Sequence, residues 1–163
     1  MTTIDIQFNE AEHRRVIASL NQLIRDGEDL SPAMLEVSEL LADIAAEAFD
    51  RETSPDGVPW KALQAATLRA KRRLGYSEKI LLREGDLSGS ILSDHDRTSA
   101  VAGTNLIYAA THQLGRTEAG IPARPFLGIG PGNAEEIVDI VARHLAGLYH
   151  TGVGGPETGP APL

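Results

Sequence analysis

Apolar and polar residues alternate first at Ile4, Ile6 and Phe8, with Asp5 and Gln7 between them, and this period of two predicts a short half-buried strand. The period then lengthens. Asn9 and Glu12 have the spacing of a capping box, and Val16, Ile17, Leu20, Leu23 and Ile24 share one face of the helix it would open, with Gly27 as a stop. Ser31-Pro32 supplies an N-cap and a first-turn proline for a second helix. Its apolar stripe is Met34, Val37, Leu41, Ile44 and Ala48, at spacings of 3, 4, 3 and 4. Thr53 to Pro59 holds two prolines and Asp56-Gly57 and reads as a turn-rich loop. Lys61 to Arg73 is built of good helix formers, with Lys71-Arg72-Arg73 at the end where cations suit the helix dipole.

The second half changes texture. Ser88 to Asp94 and Ser99 to Thr104 read as two strands flanking the polar turn Asp94-His95-Asp96-Arg97. Asn105 to Leu114 predicts a short helix ended by Gly115, and Ala123 to Ile129 an edge strand, because Pro125 has no N–H for a ladder. Asn133 and Glu136 repeat the capping-box spacing before a helix with Ile137, Ile140, Val141, Leu145 and Leu148 on one side. From Thr151 the chain is mainly Gly, Pro and Thr, which predicts a flexible tail. Helices first, then a small mostly antiparallel sheet packed with helices, make the α+β class. The expected organisation is one domain over residues 1–150 and a tail over 151–163.

Composition narrows the chemistry. A chain of 163 residues with 42% hydrophobic and 23% charged side chains suits one globular domain with a real core. Aromatics are only 4%, so Leu, Ile, Val and Ala must fill that core. With no cysteine, disulfides, zinc–thiolate sites and thiol nucleophiles are excluded. Met1 to Asn9 carries Asp5 and no basic residue, so it makes no secretory n-region, and no apolar run approaches the roughly 18 residues of a membrane span. These features lead one to expect a soluble protein made in the cytoplasm. The net charge of −8 disfavours nucleic acid or anionic lipid over most of the surface. The charge is nonetheless uneven. Residues 1–60 hold 4 basic and 13 acidic side chains, residues 61–83 hold 7 and 1, and residues 84–163 hold 4 and 9. A basic island between acidic regions fits a polyanion, or an acidic surface on a neighbouring copy.

Candidate chemistry is sparse. Asp94-His95-Asp96 is the densest group of possible metal ligands or acid–base residues, yet neighbours on a strand point to opposite faces, and a polar turn explains them as well. His112 follows Tyr108 by four residues and shares its helical face, as a catalytic or simply packed pair. Gly128-Ile129-Gly130-Pro131-Gly132 precedes a helix but lacks the phosphate-loop patterns, and Glu135 and Glu136 would repel a phosphate there. Ser88, Ser90 and Ser93 have no nucleophile elbow around them. Lys61 to Arg83, with Trp60 and Tyr76 nearby, carries no nucleic-acid reader motif. Trp60 reads as a loop anchor. Pro125 restricts Arg124 to extended conformations, so Arg124 would project from a fixed edge, while Phe126 belongs to the core or to an interface.

Three ordered blocks carry a resemblance. The first is Asp56-Gly57-Val58-Pro59-Trp60-Lys61-Ala62-Leu63, with Thr67 and Lys71. The second is Lys79-Ile80-Leu81 followed by Gly85-Asp86-Leu87-Ser88-Gly89-Ser90-Ile91. The third runs through Val101-Ala102-Gly103-Thr104, Tyr108-Ala109, His112-Gln113-Leu114-Gly115 and Ile121-Pro122-Ala123-Arg124-Pro125-Phe126-Leu127-Gly128. Over roughly residues 30–148 the chain resembles the phage virion morphogenesis family, the tail-completion or tail-terminator proteins of Mu-like and related contractile-tailed bacteriophages. It departs from the pattern at Glu84, where Thr is usual, and at Leu114, where Phe is common.

The resemblance implies a structural virion protein, with no catalysis, metal or cofactor, that caps the head-proximal end of the tail and offers a docking surface to the head connector. Its implied partners are further copies of itself in a ring, commonly a hexamer, the tail tube and sheath proteins, and connector proteins. Duplex DNA would pass only as cargo, and acidic residues facing the lumen would keep it from sticking. Trp60, Lys61, Tyr108, His112, Gln113, Arg124, Pro125 and Phe126 are the interface or motif candidates. In such a ring the basic island of 61–83 would meet an acidic surface on the next copy. Other readings are another neck component, a small hydrolase using the Asp94–Asp96 turn and His112, and a DNA-binding accessory protein using Lys61 to Arg83.

Overall fold

The computed structural model describes residues 29–151, together with Arg14 and Ala18. The expected strand at Ile4–Phe8 and the tail beyond Thr151 lie outside the described residues. So does most of the expected helix around Val16 to Ile24, within which Arg14 and Ala18 are helical and exposed.

Helix α1 (Ser31–Arg51) carries both halves of the core. Its start falls one residue before the expected one, with Leu30, not Ser31, at the cap position. Asp29 does the capping, because its Oδ1 accepts the Ser31 backbone N–H at 3.0 Å and the Ser31 hydroxyl at 2.7 Å. Pro32 sits in the first turn, where a missing N–H costs nothing. Met34, Val37, Ile44 and Ala48 of the expected stripe are buried and Leu41 is half-buried. The helix stops at Glu52, whose left-handed backbone (φ 56°) turns its N–H onto the Ala48 carbonyl.

Helix α2 (Ala65–Arg73) starts four residues later than expected. Residues 61–64 stay outside the helix: the Lys61 carbonyl is held by the Arg124 guanidinium and so is not free for a helical bond, and Gln64 is extended. The expected strand from Ser88 is also shortened. A one-turn helix α3 (Asp86–Gly89) takes its first residues, and strand β1 spans only Leu92–His95. It pairs antiparallel with β2 (Ala100–Gly103), from Leu92 opposite Gly103 to His95 opposite Ala100. Asp96 closes the hairpin: its backbone N–H donates to the Ser99 carbonyl, and its carboxylate accepts the N–H groups of Thr98 and Ser99, each at 2.7 Å. The hairpin packs on α1.

Helix α4 (Ala109–Leu114) starts four residues later than expected, after a turn closed by the Ala109 N–H on the Leu106 carbonyl, and ends at Gly115 as the sequence indicates. A 3-10 turn (Thr117–Ala119) follows. Ala123–Ile129 is not the edge strand expected of it. The N–H groups of Arg124, Phe126 and Leu127 bond instead to residues of α4. Helix α5 (Pro131–Thr151) starts on the Gly130 carbonyl, which accepts the Asn133 N–H at 3.1 Å, and Thr151, expected to open the tail, is still helical. Asn133 is inside the helix, not its N-cap. Its side chain reaches back to accept the Gly130 N–H at 2.9 Å, the returning half of a capping box.

The core has two centres on α1. Leu30, Ala33, Met34 and Val37 pack against Ile140 and Val141 of α5, and Ala48 and Phe49 pack with Trp60, Ile80, Leu87, Ala109 and Phe126. The fold is α+β: helices with a small two-stranded antiparallel sheet. No helix among the described residues is long and apolar enough to cross a membrane.

Candidate functional site

The loop 53–59 folds back on itself through a Thr53–Pro59 bridge, and the Trp60 N–H donates to the Glu52 carbonyl at 2.8 Å. This fixes Trp60, 6% exposed, beside the end of α1. Its indole meets Phe49 edge-on with ring centroids 5.7 Å apart, and Phe49 in turn lies 5.1 Å from Phe126. The indole Nε1–H donates to the Pro125 carbonyl at 2.8 Å. Trp60 is thus the loop anchor expected of it.

Gln113, buried on α4, does the work of a missing strand. Its Oε1 accepts the N–H groups of both Phe126 and Leu127 at 3.0 Å, and its Nε2 donates to the Leu127 carbonyl at 2.8 Å. The Arg124 N–H donates to the His112 carbonyl at 2.7 Å. The N–H groups of Arg124, Phe126 and Leu127 and the Leu127 carbonyl are thus held by α4, and the Pro125 carbonyl by Trp60, in place of a strand ladder. Sequence reasoning missed this role for Gln113, since a glutamine in the last turn of a short helix carries no signal of what it will bond across 14 residues.

Arg124 does not project from an edge. It is 7% exposed, and its Nε and Nη2 donate to the Lys61 carbonyl at 3.1 and 2.9 Å. Burial pulls its guanidinium below the ordinary arginine range. Phe126 is fully buried and belongs to the core. The structure thus brings Trp60, Lys61, Gln113, Arg124, Pro125 and Phe126 into one internal clasp between the 53–64 loop, α4 and the 123–128 segment. Only the side chains of Lys61 and Tyr108 among the motif candidates are exposed.

Tyr108 and His112 do share a face, and their rings meet edge to face at 6.1 Å. His112 Nδ1 is enclosed without a hydrogen-bond partner, so no hydroxyl is held on it for proton transfer. Burial first, and the Arg124 charge second, push the imidazole below its ordinary value of 6.5. Both residues border a groove of about 580 Å³, whose other polar walls include Lys71, Arg83, Glu84 and Arg124. Lys71 is spent within the chain, donating to the Lys79 and Leu82 carbonyls at 2.6 and 2.7 Å.

At the hairpin turn, Asp94 accepts the His95 N–H and Asp96 caps the turn, which holds the Asp96 carboxyl below its usual range. Among the described residues no three His, Asp or Glu side chains gather as a metal would require. The basic island is partly self-contained too. Arg72 forms a two-pronged pair with Glu78 at 2.7 and 2.8 Å, and Arg83 bonds the Tyr76 hydroxyl and lies 4.6 Å over its ring.

Comparison with known proteins gives this clasp a context. The chain is 33% identical over 147 residues to "Mu-like prophage FluMu G protein 1" of Haemophilus influenzae, covering 89% of this chain and 97% of that one. It is 32% identical over 141 residues to "Putative capsid assembly protein G" of Escherichia phage Mu, covering 82% and 90%. No solved structure matches it. The model of the phage virion morphogenesis family matches residues 11–146, a span that holds all three motif blocks. The chain belongs to the phage virion morphogenesis family.

Proposed function

We propose that the protein completes the phage tail, closing the head-proximal end of the tube or sheath and presenting the surface on which the head connector docks. Family membership already implies a structural, assembly role without catalysis. The observation that carries the finer reading is where the motif residues are spent. Their polar atoms hold three segments of the chain together, so the motif builds a rigid shape, and what reaches the surface is apolar and charged contact area. Ile107 stands 96% exposed, with Leu114 at 67% and Tyr108 at 44% on α4 and the turn before it. A protein that ends its life inside a virion buries such side chains against neighbours.

In this reading residues 1–150 act as one domain, copies close into a ring, and the partners are tube and sheath subunits on one side and connector proteins on the other. DNA passes through without specific contact. The name of the Mu relative, which refers to capsid assembly, favours a second reading on the head side of the joint. Electron microscopy of lysates from a phage lacking this gene separates the two. Tails of irregular length beside normal filled heads support tail completion. Normal tails beside aberrant or empty heads overturn it in favour of the head-side role.

A further inference from the structure

Helix α2 packs only lightly among the described residues, with Leu68 and Lys71 half-buried. It buries none of its nine residues. An isolated helix of that length is marginal in water. Its tethers within the chain run through Lys71 and Arg72 to the loop that follows, which leaves the opposite face free. On that face stand Arg69 and Arg73, one helical turn apart, both exposed and neither with an ion pair or hydrogen bond among the described residues. Beside them, on the side away from Arg72, stand Ala66 and Ala70, which allow another backbone to come close.

The complement lies on α1. Its outer face carries Glu36, Glu39, Asp43, Glu47 and Asp50. The outer members are engaged: Glu36 with Arg143, Glu47 with Arg51, and Asp50 with Lys79. Glu39 and Asp43, at the centre, are exposed and have no partner among the described residues. They too are one turn apart. Two unmatched guanidinium groups and two unmatched carboxylates therefore occur at the same spacing on two helices of a chain that does not join them.

We propose that α2 of one copy docks along α1 of the next, Arg69 and Arg73 pairing with Glu39 and Asp43. Two different surfaces meet, so the contact is head-to-tail and propagates round a ring. Arginine suits it, because its planar fork grips carboxylates with two bonds. The proposal deepens the tail-completion reading by naming its self-contact, and for the closing of the ring it rests on that reading.

Light scattering of the purified full chain tests it, with Arg69→Glu/Arg73→Glu as one variant and Glu39→Arg/Asp43→Arg as the other. Each reversal alone places like charges face to face and should raise the concentration needed for association by about tenfold or more. Mixing the two variants restores both contacts in alternation and should bring association back to within about threefold of wild type. Circular dichroism of each variant checks that it is folded. A wild type that is monomeric at every concentration, or reversals that leave association unchanged, overturn the contact. So does loss of salt-sensitive duplex binding by Arg69→Glu/Arg73→Glu with association intact, which would assign the arginines to nucleic acid. Recovery on mixing supports the contact whichever lysate phenotype is seen, so it stands or falls separately from tail completion.

Discussion

Gln113 shows how much one side chain can hold. Replacing it by Ala strands the buried Phe126 N–H and the half-buried Leu127 N–H and carbonyl, and each unsatisfied buried group costs about 1–3 kcal/mol. Gln113→Ala should therefore lower stability by roughly 3 kcal/mol or more in urea unfolding, and Gln113→Glu should not restore it, because its second carboxylate oxygen would face the Leu127 carbonyl. His112 makes a prediction about pH. Its folded-state value lies below that of the unfolded chain, so the unfolded chain binds the proton more readily in the interval between them. The stabilising contribution is complete above 6.5 and is lost as pH falls through that interval. The urea midpoint should drop between about pH 7.5 and 5.5, and His112→Phe should flatten that part of the drop. An unchanged slope would mean that the imidazole titrates as it does in the unfolded chain.

Among the elements, the joint before α5 is the most tightly specified. A Cβ on Gly130 would lie 2.3 Å from the Pro55 carbonyl oxygen, backbone against backbone, where neither side can yield. On Gly132, two residues on, a Cβ would meet nothing within 4 Å. Gly130→Ala should thus cost about 1–3 kcal/mol or more, and Gly132→Ala should be neutral or slightly stabilising in the same thermal melt. The glycine-rich stretch that superficially suggests a phosphate loop is a close-packing point between the 53–59 loop and α5. Helix existence was legible along the chain because apolar stripes at helical spacing report burial directly, as on α1. Boundaries were less so. The start of α2 and the fate of Ala123–Ile129 depend on which distant carbonyls and amides are already taken, by Arg124 and by Gln113, and no local window contains that information.

At the scale of the whole molecule, rigidity and contact are carried by different residues. Phe126 is fully buried at the centre of the clasp, whereas Ile107 is almost wholly exposed. Phe126→Ala should cost about 3–5 kcal/mol and lose assembly through unfolding. Ile107→Asp should change stability by less than about 0.5 kcal/mol yet abolish complementation of a phage lacking the gene, if that side chain is seated in a neighbour. Normal complementation by a folded Ile107→Asp protein would remove it from the contact surface.

The α+β class, the existence of the longer helices and of the hairpin, and the family were determined by the sequence alone, because each is written in residue spacing or in ordered motifs; the one-turn α3 was not, since its last residues read as the start of a strand. The tertiary structure decided what the motif residues do. It turned Arg124 inward, made Gln113 a substitute for a strand, and left Arg69, Arg73, Glu39 and Asp43 exposed and unmatched among the described residues. The physical reason is one of range. Periodicity reports the burial of a face, but the partner of a polar group is chosen across the fold by whichever backbone atoms would otherwise be buried without one.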